Sequence, residues 1–307
     1  MKAVVLHEYG GPEKLKYEDF DDPQVGPNEV LVKVSAVSIN PIDFKMRSGA
    51  AKERFPVEFP GILGRDVAGV VHAVGEGVTQ FSPGDKVFAL AEKTYAELCV
   101  VKVASLARIP DGMDMVQASA LPLVTATGEQ LIRLGTGIQK DETVLIAGAL
   151  GSVGRAAVWS AQQAGAHVIA GVRKSQLDEA RSLGADRVVA LDDADAMDHV
   201  GAVDAVADTV GGKTAEMLLG KVKQDGTFGS VLGPPANAAL NPNVKVAAIG
   251  AQPDPRKLEE MADAVLKGEL VIPVTQTLPL AEAGAGQAHA EKGVQERLSW
   301  WPERQEP

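Results

Sequence analysis

The spacing of apolar positions changes once along this chain, near residue 112. Before that point, short apolar runs at 2–6, 30–37, 67–74, 86–90 and 96–101 read as strands. In the second run Val30, Val32, Val34 and Ala36 alternate with Leu31, Lys33 and Ser35. A period of two puts alternate side chains on opposite faces of a strand. Gly10-Gly11-Pro12, Gly26-Pro27-Asn28, Gly75-Glu76-Gly77 and Ser82-Pro83-Gly84-Asp85 supply the turns. Many short strands joined in this way predict a compact, barrel-like β domain.

Beyond residue 112 the pattern becomes helical over 115–134, interrupted near Pro122. Strands are then predicted at 143–147, 167–172, 187–190, 202–208 and 226–232. Helices are predicted between them at 153–164, 175–183 and 213–223. Such alternation predicts an α/β domain, a doubly wound parallel sheet with helices on both faces. Residues 233–242, rich in Pro, Gly and Asn, read as a loop. Residues 254–267 read as an amphipathic helix opened by Asp254-Pro255. The acidic stretch 192–198 reads as a solvated loop.

One junction in this alternation carries chemistry. The apolar strand Val144-Leu145-Ile146-Ala147 runs into Gly148-Ala149-Leu150-Gly151-Ser152-Val153-Gly154, and a helix follows at once. A glycine pattern between a strand and a helix is a dinucleotide-binding signal. Gly148 allows a tight turn, Gly151 the close approach of a pyrophosphate, and Gly154 close packing of the new helix. The helix start, with Ser152 and Val153, aims free N–H groups and a positive dipole end at the phosphates. The spacing is GxxGxxG and departs from GxGxxG at Ala149-Leu150.

The end of the next strand bears on which dinucleotide is bound. An NAD site usually places Asp or Glu there, on the ribose 2′-OH. Here the strand ends in Arg173-Lys174-Ser175, with no acid before Asp178. Two cations and a hydroxyl suit a 2′-phosphate, so NADPH is the expected cofactor.

Composition narrows the rest. A length of 307 residues suits two domains. A net charge of −11 argues against nucleic acid as a partner. The single cysteine, Cys99, excludes an intramolecular disulfide and a Cys-rich zinc site; it reads as buried and inert. No apolar run is long enough for a membrane span, so a cytoplasmic protein is expected.

Several segments together resemble the medium-chain dehydrogenase/reductase superfamily, in its zinc-independent quinone oxidoreductase and enone reductase branch. They are Ser38-Ile39-Asn40-Pro41-Ile42-Asp43-Phe44-Lys45, Gly64-Arg65-Asp66-Val67-Ala68-Gly69, Pro83-Gly84-Asp85-Lys86-Val87, Leu121-Pro122-Leu123-Val124-Thr125-Ala126, the glycine turn, and Arg181-Ser182-Leu183-Gly184-Ala185-Asp186. The resemblance covers residues 1–295. It implies a β-rich GroES-like catalytic domain from 1–115, a Rossmann dinucleotide-binding domain over 116–268, and a return to the catalytic domain over 269–307. It also implies an active site between the two domains, and homodimers are common among such proteins.

Zinc alcohol dehydrogenases of this superfamily carry a Cys and a Gly-His-Glu segment where this chain has Asn40 and Gly64-Arg65-Asp66. Neither Asn nor Arg is a zinc ligand at neutral pH, so no metal is expected. Reduction of an electrophilic quinone or α,β-unsaturated carbonyl is then easier than alcohol oxidation. By resemblance, Asn40 is the candidate to hydrogen-bond substrate oxygen, Asp43 and Lys45 order the loop or line the cleft, and Thr125 contacts the nicotinamide or its ribose. Two rival readings are a non-enzymatic NADPH-binding protein on the same fold and one reductase module of a larger biosynthetic system.

The tail departs from the resemblance, which implies a closing strand of the type Gly-Lys-x-Val-Leu-Val. Residues 296–307 are polar, broken by Pro302, and contain Trp300-Trp301; they predict a poor strand. Back-translated with chosen codons and one restored base, 295–303 reads Gln-Gly-Lys-Thr-Val-Leu-Val-Ala-stop. A one-base frameshift and a purposeful tail with the Trp pair as a contact patch are the two readings, and the gene's codons decide between them.

Overall fold

A computed structural model describes residues 1–292 and the backbone of 298–301. The chain divides into two compact units. The first is Met1–Leu123 with Pro253–Gly268 and Pro273–Pro307; the second is Val124–Gln252 with Glu269–Ile272. The helix predicted at 254–267, assigned above to the dinucleotide segment, lies in the first unit.

The first unit opens with β1 (Lys2–Leu6), β2 (Leu15–Asp19), β3 (Glu29–Ser38), α1 (Pro41–Ser48), β4 (Gly61–Ile62), β5 (Asp66–Val74), β6 (Lys86–Leu90), β7 (Leu98–Lys102), β8 (Leu106–Arg108) and α2 (Met115–Ser119). Strand β3 organises it. β5 pairs antiparallel along one side, from Val30↔Val74 to Ala36↔Ala68, while β7 pairs with the opening half, Glu29–Lys33. Val30, Val32 and Val34 point into a core shared with Val4, Leu6, Val67, Val71, Tyr95 and Leu106. The period of two read from the sequence is thus the inward face of β3.

The second unit contains most of α3 (Pro122–Gln130), then β9 (Thr143–Ala147), α4 (Ser152–Gln163), β10 (His167–Val172), α5 (Leu177–Ala180), β11 (Arg187–Ala190), α6 (Ala194–Asp198), β12 (Val203–Asp208), α7 (Gly212–Leu219), β13 (Val222–Ser230) and β14 (Lys245–Ala248). The strand order is β11-β10-β9-β12-β13-β14, every pairing parallel. That order reverses between β9 and β12, and ligands bind outside the carboxyl ends of strands at such a switch point. Alternate residues of β9 feed two separate cores. Val144 and Ile146 join Val158, Ala161 and Val168, whereas Leu145 and Ala147 join Val206, Leu218 and Phe228. A strand buried on both faces reads as continuous apolar sequence, as Val144–Ala147 does.

The chain then returns to the first unit with α8 (Pro255–Leu266), β15 (Gln276–Pro279), α9 (Ala283–Glu291) and β16 (Leu298–Trp301). The last element corrects an expectation. Residues 298–301 form a strand, parallel to β15 and antiparallel to the end of β3 at Ser299↔Ser38. Pairing uses backbone N–H and C=O groups, which any residue but proline supplies, so a polar-flanked sequence can take the position. Gly293, Val294, Gln295, Glu296, Arg297 and 302–307 lie outside the described residues. The predicted helix over 115–134 is three pieces, α2, α3 and a π-helical turn Leu131–Thr136, with Pro122 opening α3. The acidic stretch predicted as a loop contains α6, capped by Asp193 accepting the Ala196 N–H at 3.2 Å. Among the described residues, no helix is long and apolar enough to cross a membrane.

Candidate active site

The glycine turn joins β9 to α4. Gly148 has φ +75°, and a Cβ there would meet Thr209 Oγ1 at 2.4 Å. Its N–H and that of Ala149 both donate to Gly171 O, at 2.9 and 3.2 Å, so the end of β10 holds the turn. Gly151 is the N-cap of α4, with an ordinary extended backbone, φ −67° and ψ 157°. Its glycine identity is therefore not required by backbone conformation. A Cβ there would meet only Gly148 O, at 3.3 Å. Gly154 is the tightest of the three: a Cβ would lie 2.1 Å from Gly148 O and 2.8 Å from Ala149 Cα. The first turn of α4 is thus pressed against the loop that precedes it.

No side chain caps α4. The first N–H groups of a helix have no partner within it, and an uncapped, half-exposed start at Gly151, Ser152 and Val153 fits an anionic pyrophosphate. Two further features belong to this cradle and were not singled out in the sequence. Gly128 of α3 lies so close to α4 that a Cβ would sit 2.6 Å from both Ala156 Cβ and Val153 O. Thr125, one turn before Gly128, is itself buried. At the end of β12, Asp208 Oδ1 accepts the N–H groups of Val210 and Gly211 at 3.0 and 2.9 Å, and Oδ2 accepts from Ser230 Oγ at 2.8 Å. This fully buried carboxylate shapes the loop beside Gly148. Its signal in the sequence is an acid ending an apolar strand before Gly211-Gly212.

Past the end of β10, Arg173, Lys174 and Ser175 are all exposed. Lys174 pairs with Asp193 at 2.7 Å. Among the described residues Arg173 has no ion-pair partner.

The other candidate residues form a buried polar cluster in the first unit. Asn40 is the N-cap of α1, with Pro41 at the first helical position, where a missing N–H costs nothing. Asp43 sits at the third helical position and takes the Asn40 backbone N–H at 2.7 Å. The Asn-Pro-x-Asp pattern is therefore a helix start. The Asn40 side chain does not cap. Its Nδ2 donates to Asp66 Oδ2 at 2.8 Å and to Ser38 Oγ at 3.2 Å, and Asn40 is 1 % exposed. Both amide N–H groups are thus used inside the protein, where the expectation was a bond to substrate oxygen. Asp66 also accepts from Ser38 Oγ and from the Leu123 N–H. Arg65 pairs with Glu92 at 3.6 Å. The positions that match zinc ligands thus hold an internal hydrogen-bond network, and among the described residues no group of His, Cys, Asp and Glu could hold a metal.

Asp43 orders this corner without reaching its surface. It is fully buried, accepts the Tyr95 hydroxyl at 2.8 Å, and among the described residues leaves Oδ1 without a partner. Burial, the largest influence, pushes its pKa from 3.8 up to about 7; the bonds from Asn40 and Tyr95 act the other way. Burial also raises the Tyr95 phenol, with Asp43 adding to it. Because folded Asp43 binds its proton more tightly than the unfolded chain does, its contribution to stability falls as pH rises from 3.8 through about 7. Denaturant midpoints for the wild type and Asp43→Asn between about pH 5 and pH 8 test this. The wild type should lose stability relative to the variant as pH rises, and parallel profiles would refute it. Lys45, on the same helix, is half-buried, and among the described residues its ammonium has no ion-pair partner. Cys99 is buried, its thiol pushed up to about 12 by desolvation, which leaves it inert.

Residues 26–111 match the alcohol dehydrogenase GroES-like domain, and residues 183–295 match the zinc-binding dehydrogenase family. A quinone oxidoreductase of Pseudomonas aeruginosa is 33% identical, over 94% of this chain and 95% of its own length. The structure of the quinone oxidoreductase from Coxiella burnetii superposes with a TM-score of 0.88 at 27% identity, covering 99% of each chain. A mycobacterial protein solved in complex with NADPH superposes with a TM-score of 0.83 at 28% identity, covering 98% of this chain and 100% of its own. With a full-length relative at this identity and both family segments in order, the chain belongs to the medium-chain dehydrogenase/reductase superfamily, as an oxidoreductase of its quinone oxidoreductase branch.

Proposed function

We propose that this protein is an NADPH-dependent, zinc-free reductase of quinones or α,β-unsaturated carbonyls. The observation that carries the reading is the glycine turn: a strand end, a loop too tight for side chains at Gly148 and Gly154, and a helix start left uncapped. The bound nicotinamide would supply the hydride. The first turn of α4 would hold the pyrophosphate through Ser152, Val153 and Gly154 N–H groups, and Gly148 and Gly151 would let it approach. Arg173, with Lys174 and Ser175 beside it, would take the 2′-phosphate. Thr125 would act on the nicotinamide side through the placement of α3.

The zinc-free reading is supported by donor chemistry. The amide N–H groups of Asn40 point at Asp66 and Ser38, and Arg65 is a cation, so this corner offers hydrogen-bond donors where a metal needs lone pairs. Of the three residues predicted to serve the substrate, Lys45 keeps an uncommitted donor for a developing oxyanion or enolate. Asn40 and Asp43 would position the start of its helix. The relatives are oxidoreductases, which favours turnover over simple binding.

The test is NADPH and NADH consumption with a panel of 1,4-benzoquinones and alkenals. NADPH should give the higher kcat/KM, and Arg173→Ala should reduce the NADPH value about tenfold, the scale of one charge-assisted hydrogen bond, with little change for NADH. Equal use of the two cofactors, or preference for NADH, would overturn the assignment. Tight NADPH binding without turnover on any acceptor would instead favour a binding protein.

A further inference from the structure

In sequence the loop after β10 carries two free cations; in space one of them, Lys174, is paired. Strands β10 and β11 are parallel neighbours, with Val172 opposite Ala190. The segments that follow them therefore leave the sheet side by side. Asp192 and Asp193, just past β11, come against Lys174, just past β10. Asp192 Oδ1 accepts the Lys174 backbone N–H at 2.7 Å. Asp193 Oδ2 takes the Lys174 ammonium at 2.7 Å. The pairing raises the lysine pKa and lowers that of the aspartate, each mainly through this bond. Asp193 is also fixed from the other side, because its Oδ1 caps α6. The acid is thus anchored by a helix, whereas the lysine is on a flexible stem, 70% exposed.

A phosphate at this loop meets two different cations. Arg173 has no ion-pair partner among the described residues. Lys174 has a carboxylate in place, and to reach the phosphate it must either leave Asp193 or bring a negative charge towards a dianion. We propose that Asp193 is a specificity-determining residue, which holds Lys174 back from the 2′-phosphate and so limits the preference of this enzyme for NADPH over NADH. The inference rests on the NADPH reading above.

The experiment is a double-mutant cycle on Asp193→Asn and Lys174→Ala, read as the ratio of kcat/KM for NADPH to that for NADH. Asparagine is as good an N-cap as aspartate, so α6 keeps its start. Asp193→Asn should raise the ratio about fivefold, through a lower KM for NADPH, the size expected for one unit-charge contact in water, here that of the released Lys174 with the phosphate. The gain should shrink at high salt and vanish in the Lys174→Ala background. A ratio unmoved by Asp193→Asn, or equal losses with both cofactors, refutes the proposal. So does a gain that persists without Lys174, since the acid would then act on the phosphate directly. If the wild type prefers NADH and Arg173→Ala leaves the ratio unchanged, the NADPH reading itself has failed. If Arg173→Ala lowers the ratio and Asp193→Asn does not raise it, only the role of Asp193 has.

Discussion

Gly154→Ala is expected to lower affinity for the proposed cofactor NADPH about 100-fold, the upper end of the ~1–3 kcal/mol that forcing an extra methyl into a packed contact costs. The added methyl would lie 2.1 Å from Gly148 O and 2.8 Å from Ala149 Cα. Both are backbone atoms of the loop proposed to cradle the pyrophosphate, and neither can turn aside as a side chain could. Either α4 moves away from the loop or the loop opens, and in both cases the first-turn N–H groups leave their positions. Gly151→Ala is the control. Its methyl would meet only Gly148 O, at 3.3 Å, and the backbone there is one any residue adopts. Fold stability should barely change, and any loss of affinity then reports the approach of the ligand itself. Calorimetric titration with NADPH on both variants, beside their thermal unfolding, makes the comparison. Wild-type affinity in Gly154→Ala would sink this account of the turn.

The second large effect is expected far from the glycine turn. Arg47→Met should destabilise the first unit by about 2–4 kcal/mol, from the loss of one partner in a largely buried ion pair. Arg47 is 1% exposed. Its Nη1 donates to Gln287 Oε1 at 2.9 Å, its Nη2 to Glu291 Oε1 at 2.6 Å, and its Nε to Gly10 O at 3.2 Å. Gln287 and Glu291 are one turn apart on α9, so a single guanidinium fastens α9 to α1. Methionine fills much of the volume but leaves three acceptors unanswered, two of them on one helix. Glu291 is 34% exposed, so water compensates it in part, which keeps the figure below that of a wholly buried pair. The first thermal transition should fall by several degrees. Unchanged melting would mean that α9 is held by its apolar contacts alone.

The sequence exposed what is local. Alternation in β3, the apolar run of β9 and the strand–glycine–helix junction each carry their signal within a dozen residues, and each took the predicted form. The residues it hid are those whose partners are distant. Arg47 looks like an ordinary surface arginine on a polar stretch; its two side-chain acceptors, Gln287 and Glu291, lie 240 and 244 positions away. Lys174 looks like a free phosphate ligand, because Asp193 meets it only through the pairing of β10 with β11. Asn40-Pro41 reads as a turn from its dipeptide, and the Asn40 N–H donating to the Asp43 carboxylate identifies it as the start of α1. Asn40 itself was legible as polar chemistry in a matching motif. That its amide is turned to Asp66 depends on the fold around β5, which no local pattern contains.

Strand β16 has a consequence for how the chain assembles as it is made. Its partner on one side is the end of β3, at Ser38, which emerges from the ribosome long before Ser299 does. The second unit is nearly continuous, Val124–Gln252, and every strand of its sheet is available before then. On the ribosome it can finish folding while the first unit still carries an open sheet edge, a template for unwanted pairing with other chains. Premature termination before β16 should therefore yield protein with an intact second unit that is prone to aggregate.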